Sequence, residues 1–254
     1  QIENNAKIVE KEFKGDIAFK DVWFAYNEPT FVLKGINFSL SPGETVAFVG
    51  ATGAGKSSII NLLSRFYEYQ KGEIIVDGDE LRDIDIDLIR KNVAVVLQDV
   101  FLYSDTVLNN ITLGDHSISR EKVIEASKQV GAHEFIMSLP ENYDFVVGER
   151  GGMLSVGQRQ LISFIRAYVY NPSILILDEA TSSIDTESEE LIQLAIEKLT
   201  EGRTSIIIAH RLSTISKADK IIVMDQGEII ESGSHQELLS LDGAYKKLYD
   251  IQYK

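Results

Sequence analysis

Apolar and polar residues alternate at the start of the chain: over 15–26, Ile17, Phe19, Val22 and Phe24 partly alternate with polar neighbours, and 32–40 has a similar pattern. Period-two patterning predicts two short, half-buried strands. The turn Ser41-Pro42-Gly43-Glu44 then leads into an apolar segment, 45–49, that reads as a buried strand. Residues 73–78 predict another strand ending in a turn, and 92–97 a third. From about 99 to 171 the period becomes helical, clearest over 120–130 and 158–170, with Asn171-Pro172 closing the latter. Two continuous apolar strands follow, 174–177 and 205–209, with a helix over 186–199 between them. Apolar runs without alternation fit a parallel sheet covered on both faces. Residues 221–224 and 229–230 flank Asp225-Gln226-Gly227-Glu228 as a hairpin, and Ser234-His235-Gln236-Glu237 forms a capping box for a short helix. No repeat or low-complexity linker interrupts this α/β order.

Strand 45–49 runs into Gly50-Ala51-Thr52-Gly53-Ala54-Gly55-Lys56-Ser57, and a helix-length apolar pattern begins at Ser58. Strand, glycine loop and helix in that order form the setting of a phosphate-cradling loop. Glycines let backbone N–H groups turn inward, and the helix N-terminus adds a positive dipole end. Lys56 is expected to reach the β- and γ-phosphates of a nucleoside triphosphate, and Ser57 to place its hydroxyl on Mg²⁺. A glycine-rich turn with a surface lysine is the plainer reading, opposed by the full-length motif and its flanks. A second landmark is the apolar strand 174–177 ending in Asp178-Glu179. Asp178 is suited to hold Mg²⁺, and Glu179 to orient and polarise an attacking water. Alone, this reads as a strand with a hydrophilic end; the phosphate loop upstream gives it chemistry.

Composition sets bounds. A chain of 254 residues with 44% hydrophobic residues suits one large or two small globular domains. The absence of cysteine excludes disulfides and cysteine-ligated zinc, and fits a reducing compartment. No stretch approaches the roughly 20 apolar residues of a membrane span, and Gln1-Ile2-Glu3-Asn4-Asn5 lacks signal-peptide form. The expectation is a chain that neither spans a membrane nor enters a secretion path by itself. A start at Gln1 suggests a piece of something longer, or a processed chain. With 25 basic against 39 acidic residues the net charge is −14, which argues against nucleic acid as a partner.

A third motif, Leu154-Ser155-Val156-Gly157-Gln158, resembles the signature sequence of ATP-binding cassette (ABC) proteins and lies shortly before the carboxylate strand, as in that family. The resemblance runs from Tyr26 to the final helices. It includes Gln98 after 93–97, resembling the Q-loop; Ser182-Ser183-Ile184-Asp185, resembling the D-loop; and Ala209-His210-Arg211-Leu212-Ser213, resembling the switch-histidine loop. The motifs are specific as an ordered set, whereas Gln98, Asp185 or His210 alone carries little.

The resemblance implies an α/β fold: a P-loop NTPase (RecA-like) core with a parallel sheet, an N-terminal antiparallel β-subdomain and an inserted α-helical subdomain at about 99–171. It implies ATP and Mg²⁺, with ATP contacts from Tyr26, Gly50, Thr52, Gly53, Ala54, Gly55, Lys56, Ser57 and Ser58. Ser57, Gln98 and Asp178 would serve the metal, and Glu179, His210 and Gln98 the chemistry. Tyr26 resembles the aromatic that stacks on adenine; packing inside beside Trp23 and Phe24 is its other reading. His210 would contact the γ-phosphate and keep Glu179 and the water in line. Ser155 caps its helix and leaves N–H groups free for phosphate. In ABC proteins that helix end faces the γ-phosphate held by a second subunit, and Asp185 would lie across the dimer interface.

The segments 101–107, 109–111 and 147–152 resemble exporter-type nucleotide-binding domains, which are fused behind a membrane region, with Glu149 near the coupling helices. Residues 1–15 would then be a link from that region and 16–254 the domain, at the cytoplasmic face of the cell membrane. One residue departs from the family: Val156 stands where Gly is usual. Its β-branched side chain excludes positive φ and would crowd phosphate or shift the helix end. A heterodimeric exporter with unequal sites is the preferred reading, and a symmetric homodimer that tolerates Val156 the other. A soluble ABC ATPase of repair, chromosome or translation type is the remaining alternative. The first two need a long coiled coil, for which 99–152 has no room, and the third usually has two cassettes per chain.

Overall fold

The structure, a computed structural model, describes residue 4, residues 6–179 and residues 186–253. The chain divides into two compact units: residues 1–95, 173–179 and 202–254 form the first, and 96–172 with 180–201 the second. Strands and helices are numbered along the chain.

The first unit contains an antiparallel sheet of β1 (Ile17–Phe24), β2 (Leu33–Leu40), β4 (Lys71–Val76) and β5 (Asp79–Glu80), in the order β2-β1-β4-β5. In β1, Ile17, Phe19, Val22 and Phe24 are buried, and the alternation slips by one between Phe19 and Val22. The register shifts there against β2, and Asp21 has φ 47°, so a bulge returns the apolar face to the core.

A second sheet joins β3 (Thr45–Val49), β6 (Val93–Val96), β7 (Ile174–Asp178), β8 (Thr204–Ile208), β9 (Lys220–Asp225) and β10 (Glu228–Gly233), in the order β10-β9-β3-β8-β7-β6. Strands β9, β3, β8 and β7 pair in parallel, while β10 returns antiparallel to β9 through Gln226-Gly227, both at positive φ. The buried runs in β3, β7, β8 and β9 account for their unbroken apolar sequences. Phe38 of β2 stacks on Phe19 at 4.4 Å and meets Phe48 of β3 edge-on at 5.3 Å, so one aromatic series joins the two sheets.

Helices α1 (Lys56–Leu63), α2 (Ile86–Asn92), α8 (Leu212–Ile215), α9 (His235–Ser240) and α10 (Ala244–Tyr253) complete this unit. The expected capping box at Ser234 and Glu237 starts α9. Residues 7–16 are held to the unit: Asp77 accepts the N–H groups of Lys14 and Asp16, both at 2.8 Å, and Phe13 is buried.

The second unit is helical: α3 (Val107–Thr112), α4 (Arg120–Val130), α5 (His133–Met137), α6 (Val156–Tyr170) and α7 (Thr186–Thr200). α6 buries Leu161, Ile162, Phe164 and Ile165, and packs on α3, α4 and α7. The helix over 186–199 read as a crossover between two strands therefore packs with the helical unit. Buried Asn110 accepts the N–H of Tyr103 at 2.8 Å and donates to the carbonyls of Tyr103 and Thr106, both at 3.0 Å, fixing the loop before α3.

Candidate functional site

Because β3, β8 and β7 are parallel neighbours, the chain leaves all three at one edge of the sheet. Gly50 follows β3, Ala209-His210 follow β8, and β7 ends in Asp178 with Glu179 next. In open parallel sheets this edge is where ligands bind.

The loop between β3 and α1 owes its path to glycine. At Gly50, φ is 147°, and a Cβ would lie 2.2 Å from the Met224 carbonyl oxygen. At Gly55, the residue before α1, φ is 104° and a Cβ would lie 2.8 Å from Leu33 Cδ2. No side chain caps α1 and no acidic residue sits in its first turn, so its dipole end meets no built-in counter-charge there. Thr52, Gly53 and Ser57 are exposed, and Ala54 is buried. Lys56 is only 7% exposed, and its Nζ donates to the carbonyls of Gly50 at 2.6 Å and Ala51 at 2.9 Å. Burial lowers its pKa, and the Asp178 carboxylate works in the opposite direction.

Tyr26 is 42% exposed, which overturns its reading as a core aromatic. Its hydroxyl lies 3.1 Å from Ser58 Oγ and accepts from Asn61 Nδ2 at 2.8 Å, tying the ring to α1. Phe24 and Tyr67 stand edge-on to it at 4.7 and 4.8 Å. Asn61 and Tyr67 are site neighbours that the linear motifs did not single out.

Glu179 is 2% exposed. Its Oε2 accepts the backbone N–H of His210 at 2.6 Å and of Arg211 at 3.0 Å, and its Oε1 accepts Thr214 Oγ1–H at 2.6 Å. Burial pushes its pKa up, and the Thr214 and backbone hydrogen bonds oppose that. Burial, reinforced by the Lys56 ammonium, holds His210 below the ordinary imidazole range, which keeps its ring neutral at pH 7. Thr214 was missed in the sequence because its link to Glu179 spans 35 positions and exists only once β7 and β8 pair.

Lys56, Ser57, Ser58, Tyr26, Asp178, Glu179 and His210 thus belong to one unit. Gln98 and residues 154–158 belong to the helical unit, and Asp185 with its D-loop lies outside the described residues. Gln98 is half-buried, two residues past β6. In the signature segment, Leu154 and Gly157 are buried, and Ser155 caps α6 with a full capping box. Ser155 Oγ accepts the Gln158 N–H at 3.1 Å and Gln158 Oε1 accepts the Ser155 N–H at 3.0 Å. Val156 is the first residue of α6 and is not among the residues at positive φ. Its backbone there is one that a branched residue adopts without strain.

Among the described residues no cluster of three His, Cys, Asp or Glu side chains is placed to hold a metal. Mg²⁺ is commonly held by one or two protein oxygens together with substrate phosphates, so the Ser57 hydroxyl and Asp178 carboxylate suit it. No described helix is long and apolar enough to cross a membrane.

Residues 33–182 match the family described as ABC transporter. The chain is 49% identical over 240 residues to the ATP-dependent lipid A-core flippase of Saccharophagus degradans, covering 94% of this chain and 41% of that protein. It is also 49% identical over 238 residues to the "Probable multidrug resistance ABC transporter ATP-binding/permease protein YheH" of Bacillus subtilis, covering 94% of this chain and 35% of that protein. Among solved structures, a bacterial Atm1-family ABC exporter with ATP bound superposes with a TM-score of 0.91 at 40% identity, over 98% of this chain and 44% of that one. The chain therefore spans less than half the length of these relatives.

Proposed function

The chain belongs to the ABC transporter family, and from that premise we propose that it is the ATP-hydrolysing motor domain of an exporter. The observation that carries the reading is the common edge of β3, β8 and β7, which gathers the phosphate loop, His210 and the Asp178-Glu179 pair in one unit. Residues 16–254 form the domain and 1–15 lead from a transmembrane region, with the domain at the cytoplasmic face of the cell membrane. The name of the Bacillus subtilis relative, which joins ATP-binding and permease functions, supports this over a soluble ATPase of repair, chromosome or translation type.

Lys56 and the N–H groups around Gly53 and Gly55 hold the β- and γ-phosphates, and Tyr26 stacks on adenine. Ser57 and Asp178 would hold Mg²⁺, which would supply charge neutralisation at the transferred phosphoryl group, and Gln98 is assigned to the same ion by the family resemblance alone. Glu179 takes a proton from water as its oxygen bonds to the γ-phosphorus. The bond from that phosphorus to the β–γ bridging oxygen breaks, leaving ADP and phosphate. His210, neutral, donates a hydrogen bond to the γ-phosphate. Two such domains pair head to tail, each closing the other's ATP with the helix end at Ser155.

Turnover tests the reading. Glu179→Gln is expected to lower ATP hydrolysis by at least about a hundredfold while keeping ATP binding and promoting an ATP-dependent dimer. Unchanged hydrolysis would refute Glu179 as the base. Val156 supports a finer reading, a heterodimer whose two sites differ; purification of the full-length protein with its partner tests it. A partner with an intact carboxylate strand and the same signature sinks the asymmetric case.

A further inference from the structure

The carboxylate of Glu179 takes three donors from one short segment, His210 N–H, Arg211 N–H and Thr214 Oγ1–H, and Arg211 Nε lies 3.9 Å from Oε1. A carboxylate offers about four lone-pair directions. Here Oε2 has both engaged, and Oε1 has one engaged and a guanidinium nearby. A general base needs a free lone pair aimed at the proton it removes. At 2% exposure and with three of about four lone-pair directions engaged, Glu179 has little freedom to turn toward a substrate water.

We propose that Thr214 is a positioning residue for hydrolysis: its hydroxyl, with the two backbone N–H groups, latches Glu179 onto the start of α8, and the reaction requires that latch to open. The proposal rests on the reading of Glu179 as the base. α8 is a single turn, and Arg211, the residue just before it, makes no side-chain cap, so Glu179 supplies an acceptor there. His210 belongs to the latch through its peptide N–H, while its ring is the group assigned to the γ-phosphate. Drawing the ring toward that phosphate moves the peptide that holds Glu179. Capture of a triphosphate and release of the base then become one event, which an occupant lacking the third phosphate does not trigger.

The test uses this chain with Mg²⁺ and ATP. Thr214 is 3% exposed, and Val is close to it in shape but lacks the donor. Thr214→Val is expected to raise kcat about threefold to tenfold, the scale of one typical net hydrogen bond, with KM for ATP unchanged. Thr214→Ser keeps the donor and should match the unaltered chain. Where Thr214→Val fails to fold, Thr214→Ala gives the same readout. A kcat that falls or stays level in the Val and Ala variants while Glu179→Gln is inactive overturns the latch and leaves the base assignment standing. Full activity in Glu179→Gln overturns the base assignment, and the latch with it.

Discussion

At the scale of single residues, the site combines a buried cation with an exposed ring. Burial opposes the charge on Lys56, so Lys56→Met removes a group whose ionised form folding disfavours. The expected outcome is a melting temperature equal to or above that of the unaltered chain, with ATP affinity lowered by more than about tenfold, read by nucleotide titration. Tyr26 separates ring from hydroxyl. Tyr26→Ala should raise KM for ATP by about tenfold, in line with the roughly 1–3 kcal/mol carried by base stacking, whereas Tyr26→Phe keeps the ring and loses only the contacts to Ser58 and Asn61. Equal effects of the two substitutions would assign the role to the hydroxyl.

At the scale of elements, caps carry much of the local order. Ser155→Ala removes half of the capping box on α6 and is expected to cost about 1 kcal/mol, a fall of about 2–4 °C in melting temperature. Asp85 caps α2 and accepts from Asn4, so its side chain is tied at both ends. The Asn4 hydrogen bond, ahead of those from Leu88 and Asp87, lowers its pKa below 3.8. The folded pKa lies below the unfolded one, so this stabilisation is complete above the unfolded value and is lost as pH falls through the folded value. Asp85→Ala should therefore lower the melting temperature at pH 7, with the gap closing below about pH 4. A gap that persists in acid would mean that the lost contribution does not depend on the carboxylate charge.

Elements of this kind differ in how much of them the sequence discloses. The unbroken apolar strands, the Ser234 capping box and the phosphate loop are local patterns with a local cause, and they were legible. So was the slipped alternation of β1, although the bulge behind it needed the register against β2. The second half of the Ser155 capping box was equally visible as Ser-x-x-Gln. What stayed hidden depends on distant pairing. Thr214 meets Glu179, and Tyr67 meets Tyr26, only after strands remote in sequence have joined. At Val156 the branched side chain already pointed away from a positive φ, whereas its place as the first residue of α6 needed the fold.

On the scale of the whole molecule, net charge and pairing oppose one another. Each chain carries −14, so two of them repel before any interface forms. On the proposed function, ATP shared between two chains would make association a mass-action process. In Glu179→Gln, ATP with Mg²⁺ is expected to convert monomer to dimer in a concentration-dependent way by size-exclusion chromatography. Raising salt from about 0.05 to 0.2 M should strengthen that dimer by screening the repulsion. A dimer weakened by salt would indicate that opposite charges at the interface outweigh the net charge.

The tether from Lys56 to the carbonyls of Gly50 and Ala51 has a kinetic meaning as well. A cation already satisfied by its own loop yields to phosphate only the difference between two sets of bonds, which moderates affinity. On the proposed function, the same carbonyls would reclaim the ammonium as a product leaves. The loop would thus carry its own displacing ligand, tethered a few residues away.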